Sequence, residues 1–286
     1  MREIGVDLIK EQVARLCQEA NCELPPDMEA AIEDALGKEE SPTGCQILRE
    51  LLENASLARS ERIPLCQDTG MVLVFVEIGQ DVRVTGGSLA EAINQGVAKG
   101  YEEGYLRKSV VGDPLRRVNT GDNTPAVIYY DIVPGDVFRI TVMPKGFGSE
   151  NWTALGMLKP ADGLEGVKRF IIEAVDRAGP NPCPPVIVGV GIGGTADKAL
   201  LLAKRALLRP VGTRHSDPYI AGLEGELKEA INALGYGPAG LGGRITALDV
   251  HIETYPTHIA GLPVAVCLSC HAMRHKTWVW EGKKDG

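Results

Sequence analysis

Apolar residues recur at three- and four-residue spacing in Glu11–Leu16, Met28–Leu36 and Ile47–Leu57, the period of one helix face. Pro25-Pro26 and the stretch Glu39–Gly44 break that pattern, so about residues 1–60 are expected to form a helical N-terminal part. The pattern changes at residue 64. Met71–Ile78 is a short run of β-branched and other apolar residues and predicts a buried strand. Ser88–Tyr101 returns to the helical period, with Ser88 at the N-cap and Glu91 three residues on. Ala126–Val133 and Asp136–Val142 predict two strands, and the Pro134-Gly135 between them predicts a hairpin. Gly163–Ala178 predicts a helix stopped by Pro180–Pro185. Val186–Val190 follows as a short strand, and Gly191–Gly194 turns the chain into a helix over Ala196–Leu208. A further helix covers about Ile220–Ala233, and Gly235–Gly243 reads as a loop. Thr246–Tyr255, Leu262–Cys267 and Lys276–Trp280 predict strands.

Strands and helices mix without a βαβ rhythm, and no repeat or linker divides the chain. The expectation is one α/β domain over residues 1–286, with mixed sheets and helices and a helical N-terminal part. Residues 107–125 form a long polar connection carrying Arg107, Lys108, Arg116 and Arg117. Connections of that length inside compact domains are usually functional or disordered. Lys145–Asn151 is a second glycine-bearing loop.

Composition narrows the class. The chain has 286 residues, a formal net charge of −8, 44% hydrophobic and 24% charged residues. These values fit a globular protein and exclude a disordered tail, a collagen-like repeat and a coiled coil. The acidic balance argues against a nucleic-acid partner. It leaves room for a small anionic substrate, because a few cations can dominate the field of a cleft. No run approaches the ~18 apolar residues of a membrane span, and Met1–Gln12 lacks the apolar core of a signal peptide. The expected location is the cytoplasm, with no membrane partner. Seven cysteines, an odd number in such a chain, read as thiols or ligands rather than as a disulfide framework.

Three patterns could carry chemistry. Gly189-Val-Gly191-Ile-Gly-Gly194 matches G-x-G-x-x-G between a predicted strand and a predicted helix. The helix, however, runs into Arg209–Pro218 rather than a second strand ending in an acidic residue. A plain strand-to-helix turn, or a helix N-terminus facing an anion, are the other readings. Cys267-Leu-Ser-Cys270-His271 is literally the C-x-x-C-H of haem attachment, which needs export. There is no second C-x-x-C to make a zinc ribbon, and Cys17 and Cys22 lie in a helical pattern. Cys66, Cys183 and Cys270 each stand at the end of a predicted strand, in turns marked by Pro or Gly. Thiolates gathered from distant segments suit an iron–sulfur cluster; three unrelated buried thiols are the plain alternative. Asp68 lies two residues from Cys66, and four of the five histidines (His251, His258, His271 and His275) fall within residues 251–275. Histidine is the usual acid or base near neutral pH.

Several segments in order carry a resemblance: Pro64-Leu-Cys66-Gln67-Asp68-Thr-Gly70, Asn119–Ala126, Lys145–Asn151, Gly189–Thr195, and His258–Ala265 running on to Cys270-His271. Over about residues 5–280 the chain resembles the alpha subunit of class I fumarate hydratases and the related L-tartrate dehydratase alpha subunit. The resemblance implies a hydro-lyase with a [4Fe-4S] cluster held by three protein cysteines, matching Cys66, Cys183 and Cys270. The open iron would act as a Lewis acid on the leaving hydroxyl. Cys267 stands where the family commonly has another residue and is placed outside the cluster. The matching positions make Asp68 the proton-transfer residue and make Gln67, Arg107, Gly148 and His258 substrate contacts, with Lys145 and Asn151 as weaker candidates. The family also implies a beta subunit, or a fused C-terminal domain, supplying further cations and a catalytic hydroxyl. This chain ends at Gly286 without it, so an α2β2 heteromer is expected. The implied reaction is the reversible hydration of fumarate to L-malate, a tricarboxylic acid cycle step. The alternatives are L-tartrate dehydration by the same chemistry and a non-catalytic iron–sulfur protein.

Overall fold

A computed structural model describes residues 2–280. In chain order it contains β1 (Arg2–Gly5), α1 (Val6–Cys22), α2 (Pro26–Lys38), α3 (Pro42–Glu61), β2 (Met71–Gly79), β3 (Val82–Thr85), α4 (Leu89–Glu103), β4 (Val127–Val133) and β5 (Phe138–Lys145). There follow the single turn α5 (Phe147–Glu150), β6 (Ala154–Leu158), α6 (Gly163–Ala178), β7 (Val186–Gly193), α7 (Ala196–Ala206), α8 (Pro218–Asn232), β8 (Ala247–Tyr255), β9 (Leu262–Ser269) and β10 (Lys276–Trp280). The mixed α/β class and the helical N-terminal part are as expected. Pro42 does not break its helix but opens it, because the first turn has no intrahelical use for the missing N–H. Among the described residues no helix is long and apolar enough to cross a membrane.

The described residues form two compact units. The first comprises 2–24, 57–146 and 274–280. Its main sheet has the order β10-β5-β2-β4. Strand β2 is parallel to β4 and antiparallel to β5. The predicted hairpin is therefore a correction: β4 and β5 lie on opposite sides of β2. The chain passes around the end of β2, where Gln80 N–H donates to Val133 and Gly79 N–H to Val137. Those donors hold both flanks of the Pro134-Gly135 turn to the end of β2, which stands between the two strands. The buried faces of α1 (Ile9, Val13, Leu16, Cys17) and α4 (Ile93, Val97, Tyr101) pack with Val72, Val74, Val76, Ile140 and Val142 of the sheet. Each such aliphatic side chain contributes about 1.5–3 kcal/mol relative to exposure. Strands β1 and β3 form a separate parallel pair that four-residue segments do not announce by period.

The second unit comprises 25–56 and 147–273. Its sheet has the order β6-β9-β7-β8, with β7 parallel to β8 and antiparallel to β9. Successive side chains of a strand point to opposite faces. Val186, Val188 and Val190 join the core with α6 and α8, while Gly189 and Gly191 face α7. A Cβ on Gly191 would stand 2.0 Å from the Ala199 carbonyl, and one on Gly189 2.3 Å from that of Ala203. The G-x-G pair thus lets a helix lie directly on a strand, and the positive φ of Gly193 and Gly194 makes the turn between them. Strand β6, which edges the sheet, and the turn α5 replace what the sequence suggested was loop.

Candidate functional site

In the first unit, residues 64–70 form the turn that enters β2. Antiparallel pairing sets Met71 opposite Lys145, so the turn lies beside the end of β5. Asp68 Oδ1 accepts the Gly70 N–H at 3.0 Å, an Asx turn. Gly70 has φ +77°, and a Cβ there would stand 2.7 Å from the Lys145 nitrogen. Three successive carbonyls of the turn receive side-chain donors. Arg274 Nη2 donates to Asp68 at 2.5 Å. Buried Tyr101 donates its hydroxyl to Thr69 at 2.5 Å and lies 3.2 Å from the Gly70 oxygen. Asn123 Nδ2 donates to Gly70 at 3.1 Å. Burial pushes the Tyr101 phenol well above its ordinary range, so it stays a neutral donor. Cys66 is half-buried; its sulfur accepts the Asp68 N–H at 3.4 Å and lies 3.5 Å from Gln67 Oε1.

The 107–125 connection is built rather than loose. The Arg107 carbonyl accepts the Thr69 hydroxyl at 2.8 Å. Fully buried Asn123, at φ +63°, accepts the Ser109 N–H at 2.7 Å while donating to Gly70. Gly112 and Thr120 N–H groups close a small hairpin on Val118 and Val110. Exposed Arg107 stands at its base, tied to the Cys66–Gly70 turn, whereas exposed Arg116 and Arg117 stand at its tip.

In the second unit, Cys183 precedes β7 and Cys270 follows β9. Because those strands are antiparallel, with Ile187 opposite Ser269, the two cysteines share one end of the sheet. His271 Nδ1–H donates to the Cys183 carbonyl at 3.2 Å and joins the two turns. Cys183 is exposed and has φ +57°, a conformation rare for a residue with a side chain. Gly148 is exposed in α5; a Cβ there would meet nothing nearer than Asn181 O at 3.8 Å. The Glu150 carboxylate pairs with Lys204.

His258 is placed elsewhere. It lies in the exposed β8–β9 connection. That loop is at the end of the sheet where Gly193 pairs with Tyr255, opposite to Cys183 and Cys270. Eight residues of β7 at ~3.3 Å each put about 23 Å between the ends. His258 Nδ1 accepts the Ala260 N–H at 3.2 Å, so the neutral ring carries its proton on Nε2. His251 is a core residue. It is fully buried, with Nδ1 3.1 Å from Ala206 O and Nε2 3.3 Å from Asp249.

Of the remaining thiols, Cys45 is half-buried and donates to the Glu39 carbonyl at 3.3 Å. Cys17, Cys22 and Cys267 are buried, and burial pushes the Cys17 and Cys22 thiols above their usual range. Such thiols stay protonated and inert. Sequence reasoning missed Arg274 and Tyr101. Both reach the Asp68 turn from far along the chain, and only Arg274's position four residues after Cys270 could have drawn attention. Among the described residues no three His, Cys, Asp or Glu side chains are grouped to hold one metal ion.

Comparisons with known proteins show the family to which such a sequence is similar. A family model described as fumarate hydratase (Fumerase) matches residues 10–279. A protein of Methanocaldococcus jannaschii, provisionally named L(+)-tartrate dehydratase subunit alpha, is 48% identical over 272 residues, covering 93% of this chain and 95% of its own. The L(+)-tartrate dehydratase subunit alpha of Escherichia coli (strain UTI89 / UPEC) is 35% identical over 280 residues, covering 96% and 92%. The same-named protein of Shigella boydii serotype 4 is 34% identical over 280 residues, again covering 96% and 92%.

Proposed function

The chain belongs to the fumarate hydratase (Fumerase) family, and from that premise we propose that it is the alpha subunit of a [4Fe-4S]-dependent hydro-lyase interconverting fumarate and L-malate. One observation carries the reading most directly. A half-buried thiol and a carboxylate stand two residues apart on a turn whose three carbonyls are each held by a side-chain donor. Such a turn is costly to build and suits a site that must not move during reaction.

The donor chemistry fits the cluster. Cys66, Cys183 and Cys270 are the ligands in this reading; all three are at least partly accessible, as is Cys45, whereas Cys17, Cys22 and Cys267 are buried. When bound, the cluster supplies a Lewis-acid iron for the departing or entering hydroxyl. The Asp68 carboxylate takes or returns the proton. Its Oδ1 stays on the Gly70 N–H, which fixes the orientation of the carboxylate. Gln67 offers an amide and Arg107 a guanidinium to the substrate carboxylates, and a bidentate Arg–carboxylate pair fixes orientation as well as charge. Packing does not demand glycine at 148. Its role here is to let a substrate carboxylate approach the backbone.

His258 belongs to this proposal in a particular way. At the far end of its sheet from Cys183 and Cys270, it contacts substrate only in the site of a second alpha chain. That agrees with an α2β2 assembly, and the relatives are themselves named as alpha subunits. The prediction is a complementation. Co-expressing His258→Ala and Cys270→Ser alpha chains with the beta subunit should restore about a quarter of wild-type activity, since half of random dimers are mixed and each mixed dimer has one intact site. Restored activity no higher than that of either variant alone would overturn a contact of His258 with the site of a second chain.

A second reading, L-tartrate dehydration, is favoured by the names of the relatives. The test begins with iron and acid-labile sulfide after anaerobic reconstitution. About four of each per chain are expected for a [4Fe-4S] centre. Fumarate, L-malate and L-tartrate are then assayed side by side with the beta subunit present. A higher kcat/KM for L-tartrate selects the second reading, and a folded chain that takes up no iron overturns both.

A further inference from the structure

Away from every residue discussed so far as part of the site, the second unit holds a cavity of about 760 Å³ between α2, α8 and β8. Four cations line it, Lys38, Arg214, Lys228 and Arg244, against two acids, Asp34 and Glu229. Asp249 and Glu40, which pair with Arg214 and Arg244, bring the acids around it to the same number as the cations. The volume is in the range of small-molecule sites.

Three of the cations are already engaged. Lys38 pairs with Asp34 at 2.5 Å, Arg214 with buried Asp249 at 2.7 Å, and Arg244 with Glu40 at 2.5 Å. Lys228 makes no hydrogen bond or ion pair among the described residues. Burial lowers its pKa; Asp249 and Asp34 pull the other way, while Arg214 and Lys38 add to the lowering. A half-buried ammonium with no hydrogen-bond partner in the protein keeps its three donors for water or for an entering anion, which would face Arg214 as well. Ala35 and Leu248 on the wall offer contact to a carbon skeleton.

We propose that this cavity is a binding site for a small organic polyanion, seated on Lys228 and Arg214. The chemistry required is two or more negatively charged oxygens on a compact body, as in a phosphate ester or a dicarboxylate.

The test uses the full chain in its assembled form, titrated at low ionic strength with pyrophosphate and with succinate. Limiting acetic anhydride followed by mass spectrometry reads the reactivity of each lysine. One or both probes are expected to bind and to protect Lys228 from acetylation. Lys228→Met should weaken that binding about tenfold or more, as loss of a charge-assisted hydrogen bond implies. Lys228→Arg should retain it and reports on folding, and Lys159→Met, at an exposed position on the same unit, should leave it unchanged. Protection by pyrophosphate alone assigns the phosphate class, and by succinate alone the dicarboxylate class. Three results overturn the proposal: no protection by either probe, equal weakening in Lys159→Met, or a Lys228 inert in the assembled protein without any probe.

Discussion

Cys270→Ser abolishes the iron–sulfur centre and with it activity, whereas Cys267→Ser keeps both: this is the largest contrast expected from the site. The two cysteines are three residues apart, yet their surroundings differ. Cys267 is fully buried inside β9, opposite Gly189, with its sulfur 3.4 Å from the Thr153 hydroxyl. The strand alternation points Val264, Val266 and Leu268 into one core and Cys267 to the other face of the sheet. Serine there keeps a partner in Thr153 and costs about 1–3 kcal/mol of stability. Cys270 lies one residue beyond the strand and is only partly buried. Losing a ligand removes Lewis-acid stabilisation worth several kcal/mol, so activity should fall by at least about a thousandfold. Iron and sulfide analysis on both variants decides the matter. Iron lost from Cys267→Ser and kept in Cys270→Ser would reverse the ligand assignment; iron lost from both would point to four-thiolate ligation and an electron-transfer protein.

Asp68→Asn should lower kcat by about 10²–10⁴-fold, the range for removing a general acid or base, while leaving the cluster and KM nearly unchanged. The substitution is chosen for its geometry. An asparagine oxygen can still accept the Gly70 N–H that Asp68 Oδ1 accepts at 3.0 Å, and Arg274, Tyr101 and Asn123 hold backbone carbonyls that the change does not touch. What disappears is the negative charge and the proton site. Steady-state kinetics beside iron content give the answer. A rise in KM at constant kcat would make Asp68 a binding group instead, and loss of iron together with activity would make it a support for Cys66.

Much of this was legible along the chain. Long segments with an uninterrupted period, such as α6, α7 and β2, appeared where their patterns put them, because burial of one face is a local property of spacing. Ser88 caps α4 as expected: its hydroxyl accepts the Glu91 N–H at 3.4 Å. The polar clusters around Cys66, Cys183 and Cys270 also stood out, since Pro and Gly mark the turns in which they lie. The same local view misread Pro134-Gly135 as the turn of a hairpin and passed over β1, β3 and β6, whose four or five residues are too few to show a period.

What the sequence by itself determined, then, was the kind of each long element, the α/β class, and the candidates for chemistry. The tertiary structure alone decided which of them meet. Strand order is set by pairing between distant segments, and so β2 stands between β4 and β5 and Cys183 and Cys270 come to one sheet end with His258 at the other. Arg274 reaches Asp68 across 206 residues, and the G-x-G of β7 serves the approach of α7. Spacing along a chain records only neighbours within a turn or a pleat. Contacts across the sheet depend on hydrogen-bond register and on the burial of two surfaces at once, which no single segment contains.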